Sequence, residues 1–192
     1  MSILPIEFYT RNDVVTIAKD LLGKVIYTNI NNKITAGIIT ETEAYAGITD
    51  KASHAYGGRR TNRTEIMYAT GGISYVYLCY GIHYLFNVVT NVKNIPHAVL
   101  IRGIKPYEGI DTILKRRKSG RLNEKLTIGP GKVSNALAIN KTHNATDLRG
   151  NTIWIADKGI VIKNEEIYAG KRIGIDYAEE DAMLPYRFEI KL

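Results

Sequence analysis

The sequence predicts an α/β fold of the α+β kind: a single compact domain whose curved, mainly antiparallel sheet is flanked by helices and carries a protruding β-hairpin. Three observations predict it. Short apolar stretches of strand character recur, and hairpin-type connections outnumber βαβ units, which favours antiparallel pairing. Helical spacing is confined to segments near residues 10–23, 109–119 and 129–139. No internal repeat, low-complexity tract or linker divides the 192 residues, so residues 1–192 read as one domain with a substantial core.

The elements follow in order. Thr10-Arg11-Asn12-Asp13 has the spacing of a helix start; Val14, Val15, Ile17, Ala18, Leu21 and Leu22 recur at helical intervals, and Gly23 ends the run. Lys24 to Asn29 reads as a strand, Asn31-Asn32 as a turn, and Lys33 to Tyr45 as the returning strand. Glu43 and Tyr45, two apart, then share one face near its end. Residues 47–72 form a long polar loop with a helical turn near Glu65 to Ala69, and loops of that length are usually functional or disordered. A tyrosine-rich hairpin follows: Tyr75, Tyr77 and Cys79 on one face, Val76 and Leu78 on the other, Tyr80-Gly81-Ile82-His83 as the connection, and Tyr84 to Thr90 returning. Ala98 to Ile104 is apolar enough for a central strand. Gly109 to Ser119 reads as a helix ending in Lys115-Arg116-Arg117-Lys118, where cations complement the dipole, and Gly129-Pro130-Gly131-Lys132 opens another through Ile139. Short strands are expected at 153–155, 160–162, 172–175 and 187–190.

Composition narrows the function. Lys and Arg total 26 against 19 acids, and the resulting charge of +7 favours polyanionic partners. The one cysteine, Cys79, excludes an internal disulfide and a thiolate metal cluster, and it fits a reducing cytosol. The four histidines show no HxH or HExxH spacing, so no metal and no cofactor is expected. Residues 1–7 carry no basic segment followed by an apolar one, and no apolar run approaches the ~20 residues that span a bilayer. A cytoplasmic, intracellular protein with no membrane partner is expected.

Tyrosine is the compositional outlier, with 13 against 3 Phe and 1 Trp. Its ring is flat and apolar and its hydroxyl is wet, which suits half-buried binding surfaces; most of the 13 are nevertheless ordinary strand residues. Glu43 beside Tyr45, with the tyrosine hairpin downstream, suggests a pocket that stacks a nucleobase and performs acid–base chemistry on it. His54 lies in the adjoining loop, and Gly57-Gly58-Arg59-Arg60-Thr61-Asn62-Arg63 combines close backbone approach with guanidiniums for phosphate. Gly129 to Lys132 lacks the full phosphate-loop pattern, and a helix-opening turn explains it better. Cys79 is read as core packing, and the 115–118 tract as a solvated helix end.

The residues also carry a resemblance. Leu21-Leu22-Gly23, Glu41-Thr42-Glu43-Ala44-Tyr45, Lys51-Ala52-Ser53-His54-Ala55, Tyr75 through Tyr84, Asn87-Val88-Val89, Ala98 through Arg102, Gly129 through Lys132, Ala136 through Ile139, Arg172 through Ile175 and Pro185 through Phe188 stand in the order found in one family. The chain resembles, over nearly its whole length, the alkyladenine (3-methyladenine, or methylpurine) DNA glycosylases of the mammalian type. The resemblance implies a single catalytic domain that flips alkylated or deaminated purines out of double-stranded DNA and hydrolyses the N-glycosidic bond. It implies Glu43 as the general base for water, with Arg102 orienting groups around the water and sugar-phosphate. Tyr45, His54 and Tyr77 would wall the base pocket. Asn87 would line its floor and clash with the guanine amino group. Tyr80, beside Ile82, would enter the DNA at the hairpin tip. Arg59, Thr61 and Lys132 would contact phosphate. Family members often have Pro or Ala at position 62, Asn at position 64 and Met at position 82, which bears on backbone positioning and on the fit of the wedge.

No lysine lies within the catalytic motif, so no Schiff-base lyase step is expected. Three other readings stay open: a non-catalytic module for damaged DNA, an enzyme acting on RNA, and a hydrolase of free nucleosides. The first has no need of Glu43, and the last needs neither the arginine loop nor a wedge. A monomer without an obligate protein partner is expected.

Overall fold

The computed structural model describes residues 2–192. It opens with a short strand β1 (Ser2–Ile3) and two helices, α1 (Ile6–Tyr9) and α2 (Val14–Asp20). β2 (Val25–Ile30) and β3 (Lys33–Tyr45) form a hairpin turned by Asn31 and Asn32, both at positive φ. After the 47–72 loop come β4 (Ser74–Cys79), β5 (His83–Thr90) and β6 (His97–Glu108). α3 (Ile110–Arg116), α4 (Pro130–Ala136), β7 (Ile153–Asp157), β8 (Tyr168–Gly170) and β9 (Arg187–Glu189) complete the order.

The strands make one sheet in the order β1-β7-β2-β3-β6-β5-β4, and every pairing is antiparallel, as predicted. β3 is the trunk. Its first half pairs with β2 up to Ile38; at Glu41–Glu43 that edge passes to β9, which β8 extends. Along its other edge β3 pairs with β6 through three register shifts, the first of which, between Ala36 and Gly37, leaves Tyr107 unpaired. Ile39 faces Ile104 and Glu41 faces Gly103, leaving Thr40 unpaired; Thr42 then faces Ile101, leaving Arg102 unpaired. Bulges bend strands and increase twist, and the sheet curls.

Period-two alternation sorts the side chains of this curl. One face carries Thr42 and Ala44 of β3, Val76, Phe86, Val88, Val99 and Ile101, which join α2 and α4 in the main core. α2 buries Val14, Ile17 and Ala18 there, and the Thr42 hydroxyl donates to the Ala18 carbonyl at 2.9 Å. The opposite face presents Glu43, Tyr45, Tyr75, Tyr77, Asn87 and Leu100.

Differences from expectation have physical causes. The first long helix starts at Asp13 rather than Thr10, because the Asp13 carboxylate accepts from the Val15 and Thr16 amides. Segments 160–162 and 172–175 form no strand. Both edges of β2 are already paired, so Ile162 packs over Gly23 instead. Segment 172–175 is held by side-chain contacts, described below. The 47–72 loop contains three single 3₁₀ turns, including Glu65–Tyr68. In the 115–118 tract, Arg116 donates to the Thr35 hydroxyl and the Ala136 carbonyl, and Arg117 to the Leu126 carbonyl and the Asn135 side chain. These two cations are structural ties.

Asp13→Ala should destabilise the protein by about 1 kcal/mol at neutral pH. The cap hydrogen bonds hold the Asp13 carboxyl below its usual range, the Thr16 hydroxyl foremost. Its stabilisation is therefore present above the unfolded-state value and lost as pH falls through the folded one. Urea melts of both proteins should show the gap closing in acid.

Candidate active site

Strand register builds the site as one row. Tyr75 pairs with Asn87, Asn87 with Leu100, Leu100 with Glu43, and Glu43 with Arg187 of β9. Tyr45 and Tyr77 stand two residues along on their strands, on the same face. Above this row opens a cavity of about 630 Å³, within the ~300–1,000 Å³ common for small-ligand sites. The 52–54 loop, Gly129–Lys132 at the start of α4, and residues 173–177 close its sides.

Glu43 has no solvent exposure. Its Oε2 accepts from the Tyr45 hydroxyl at 2.8 Å and its Oε1 from the Ile173 amide at 2.8 Å. The Arg102 Nε lies 3.4 Å from Oε1 and donates to Glu41 Oε1 at 3.1 Å. Arg187 Nη1 also reaches Glu41 Oε1, at 3.0 Å. Two carboxylates and two guanidiniums thus share one buried cluster. The bulge at Arg102 belongs to this geometry: it puts the arginine beside Gly103, opposite Glu41, and a Cβ on Gly103 would lie 3.0 Å from the Glu41 Cβ.

Burial pushes the Glu43 carboxyl above its usual range. Arg102, the Ile173 amide and the Tyr45 hydroxyl pull it back down, and the Glu41 charge pushes with burial. Burial, then the charge of Glu43, holds the Tyr45 phenol well above its usual range, so Tyr45 stays a donor. His54 moves the other way, down to about 4, through burial and the Arg63 and Arg59 charges. It is neutral at physiological pH. Arg63 Nη2 lies 3.5 Å from His54 Nε2, and His54 Nδ1 shares a hydrogen bond of 2.9 Å with the Tyr75 hydroxyl.

The rings form a bank. His54 meets Tyr77 edge-on with centroids 4.8 Å apart, and Tyr75 lies 5.3 Å from Tyr77. The Arg63 guanidinium lies over the Tyr77 ring at 4.8 Å. The Asn87 amide donates to the Tyr75 carbonyl at 3.1 Å, which fixes its plane at the cavity wall.

Of the residues singled out in the sequence, Glu43, Tyr45, His54, Tyr77, Tyr80, Asn87, Arg102 and Lys132 border this cavity. Tyr80 does so from the tip of the β4–β5 hairpin, 88% exposed and at φ +50°. Ile82, 72% exposed, sits on the same tip outside the cavity. Arg59 and Thr61 lie on the exposed surface of the 47–72 loop, also outside it. The Lys132 Nζ donates to the Lys125 carbonyl. Cys79 is half-buried on the cavity wall and not in the core, because the hairpin end runs past the packed elements. Sequence reasoning gave no role to Glu41, Arg172, Ile173 and Arg187; it placed Arg63 among guanidiniums for phosphate and Tyr75 only within the tyrosine hairpin, whereas both line the cavity. Period two from Glu43 could have found Glu41; only the fold brings residues 172, 173 and 187 to it.

Comparison with known proteins decides the family. The chain matches the family described as Methylpurine-DNA glycosylase (MPG) over residues 7–192. The chain belongs to that family. A relative from Chlamydia felis, provisionally named a 3-methyladenine DNA glycosylase, is 49% identical over 190 residues, covering 98% of this chain and 96% of its own. Relatives of the same provisional name from Clostridium acetobutylicum and Natranaerobius thermophilus are 46% and 45% identical, covering 96% and 98% of this chain and 92% and 95% of their own. These relatives are bacterial. As a methylpurine-DNA glycosylase family member, the protein is an N-glycosyl hydrolase of DNA repair whose substrate is DNA. Among the described residues no helix is long and apolar enough to cross a membrane.

Glu43→Gln should raise thermal stability. The folded pKa of Glu43 lies above the unfolded value, so the unfolded chain ionises first. The wild type loses stability as pH rises from the unfolded value to the folded one, and glutamine does not. Calorimetry should show the melting temperature of the variant gaining on the wild type as pH rises above the unfolded-state value of about 4. An unchanged difference would mean that burial does not penalise the Glu43 charge.

Proposed function

We propose that residues 1–192 are a monofunctional, monomeric glycosylase domain of the mechanistic kind found in the mammalian-type enzymes. It removes alkylated or deaminated purines from double-stranded DNA inside the cell. The substrates are 3-methyladenine, 7-methylguanine, hypoxanthine and ethenoadenine, and the products are the free base and an abasic site. One observation carries the reading: a carboxylate with no solvent exposure, held by hydrogen bonds to both oxygens, forms the floor of a cavity walled by neutral aromatic rings.

The chemistry follows from that arrangement. N-glycosidic cleavage develops positive charge on the sugar, and a fixed carboxylate in a dry site stabilises it. Glu43 takes a proton from the attacking water; its raised pKa makes it a better base than a solvated glutamate. Arg102 and Arg187 hold the neighbouring Glu41, which leaves Glu43 to the reaction. Tyr45, His54 and Tyr77 stack the extruded purine. A base alkylated at N3 or N7 is cationic, binds π-faces more strongly and leaves more readily. A protonated His54 would repel such a guest, and its neutral ring does not. Asn87 excludes the guanine amino group. Extrusion from the duplex costs a few kcal/mol, least for damaged pairs. Tyr80, with Ile82 beside it, fills the vacated stack, and Arg59, Thr61 and Lys132 hold phosphates.

Duplexes carrying each lesion, incubated with enzyme and cleaved at abasic sites by alkali, test the reading. Glu43→Gln should abolish excision and keep lesion binding; equal loss of both would remove the general-base role. Tyr80→Ala should weaken lesion binding by roughly 1–3 kcal/mol, the worth of one stacked base. Borohydride should trap no covalent enzyme–DNA adduct, because the lysine that borders the cavity, Lys132, has its Nζ tied to the Lys125 carbonyl rather than free to form a Schiff base.

A further inference from the structure

The segment that gives Glu43 its backbone donor has little holding it. Residues 172–174 belong to no strand or helix, Ile173 is 53% exposed, and Gly174 turns at φ +74°. Yet the Ile173 amide must stay 2.8 Å from the Glu43 carboxylate. The residue before it supplies the anchor. Arg172 pairs with Asp50 in bidentate fashion, Nη1 to Oδ2 at 2.5 Å and Nη2 to Oδ1 at 2.8 Å, with both side chains at 1% exposure or less. Its remaining bonds go to the carbonyls of Ala44, at 2.9 Å, and Asp181, at 3.2 Å.

Asp50 works in the other direction. Its oxygens also accept from the Ala46 amide at 2.9 Å and the Ala52 amide at 3.0 Å, which fixes the loop that carries His54. The Arg172 guanidinium lies 4.9 Å from the Tyr45 ring centroid and 5.3 Å from that of Tyr186. The pair therefore touches both donors to Glu43 other than Arg102: it precedes the Ile173 N–H in the chain and packs against the ring that carries the Tyr45 hydroxyl.

Stability is a poor reason to keep such a pair. A buried ion pair often contributes no more than apolar packing of the same volume. This one also leaves the Arg172 Nε buried without a partner, a bond forfeited. Fixed geometry is what it supplies, and small displacements of a reacting group are costly to rate.

We infer that Asp50 and Arg172 are positioning residues: they act as one unit that sets the Glu43 carboxylate for the excision step without touching the substrate. The inference deepens the proposed reading of Glu43 and rests on it.

The test combines Asp50→Asn, Arg172→Lys, Arg172→Met and the double variant Asp50→Asn/Arg172→Met. Single-turnover excision of hypoxanthine from a duplex is measured beside affinity for that duplex. Excision should fall by about tenfold or more while affinity changes little, and the double variant should be no slower than the slower single. Arg172→Lys, which keeps the charge and loses the fork, should restore only part of the rate. Rate and affinity falling together in proportion to the unfolded fraction, or folded variants excising at the wild-type rate, would overturn the inference. A measurement that needs no substitution of the pair covers variants that do not fold. In the wild type the Ile173 amide proton resonance should shift as Glu43 ionises, and in Glu43→Gln it should not; an amide insensitive to both would also overturn it. If the wild type excises no lesion while the Ile173 amide still reports Glu43, the reading of the function fails and the positioning contact stands.

Discussion

The register between β3 and β6 is the constraint on which the site depends. With Glu43 opposite Leu100, Leu100 opposite Asn87 and Asn87 opposite Tyr75, four strands bring one rung to the cavity. A slip of one residue would send Glu43 into the apolar core and Ala44 to the cavity. Two bulges on opposite strands, at Thr40 and Arg102, shift the register and then restore it. Between them Arg102 reaches Glu41 and Glu43 together. The same stretch is where β2 leaves the edge of β3 and β9 takes it, so curvature, strand exchange and the geometry of the carboxylate cluster coincide.

Electrostatics then sets what the rung can do. An isolated carboxylate buried this deeply would prefer to be neutral. Three donors offset part of that cost, and the balance still lies on the raised side. The Tyr45 phenol and the neutral His54 imidazole surround Glu43 with polar groups that carry no net charge. Positive charge sits at Arg102 and Arg187 on the Glu41 side and at Arg63 over Tyr77. In the proposed reading, the arrangement costs stability where it makes a base, a trade common at active sites.

Much of the fold was legible in local pattern. The β2–β3 hairpin, the tyrosine hairpin, the central strand and the main helices follow from alternation, turn residues and helical spacing, which depend only on near neighbours. The strands expected at 160–162 and 172–175 failed to form because an apolar run shows β-propensity only: both edges of β2 are already taken, and segment 172–175 is held instead by Arg172 on Asp50 and by the Ile173 amide on Glu43. Cys79 failed similarly, since a hairpin that overhangs the packed elements cannot bury its last residues. Within the site, Glu43, Tyr45, Tyr77 and Asn87 could be singled out because each sits in a distinctive stretch. Ile173 could not, since its contribution is a backbone amide that any residue but proline could supply.

The sequence by itself determined the antiparallel α+β class, the shared face of Glu43 and Tyr45, the exposed tyrosine tip and the family, because each is written in spacing or in motif order. Only the tertiary structure decided that Glu43 is wholly buried, that Arg102 joins two carboxylates, and that Arg172 and Asp50 bind across 122 positions of chain. Those contacts come from curvature and register, which emerge when strands distant in sequence pair, and no local pattern encodes where a bulge will aim a side chain.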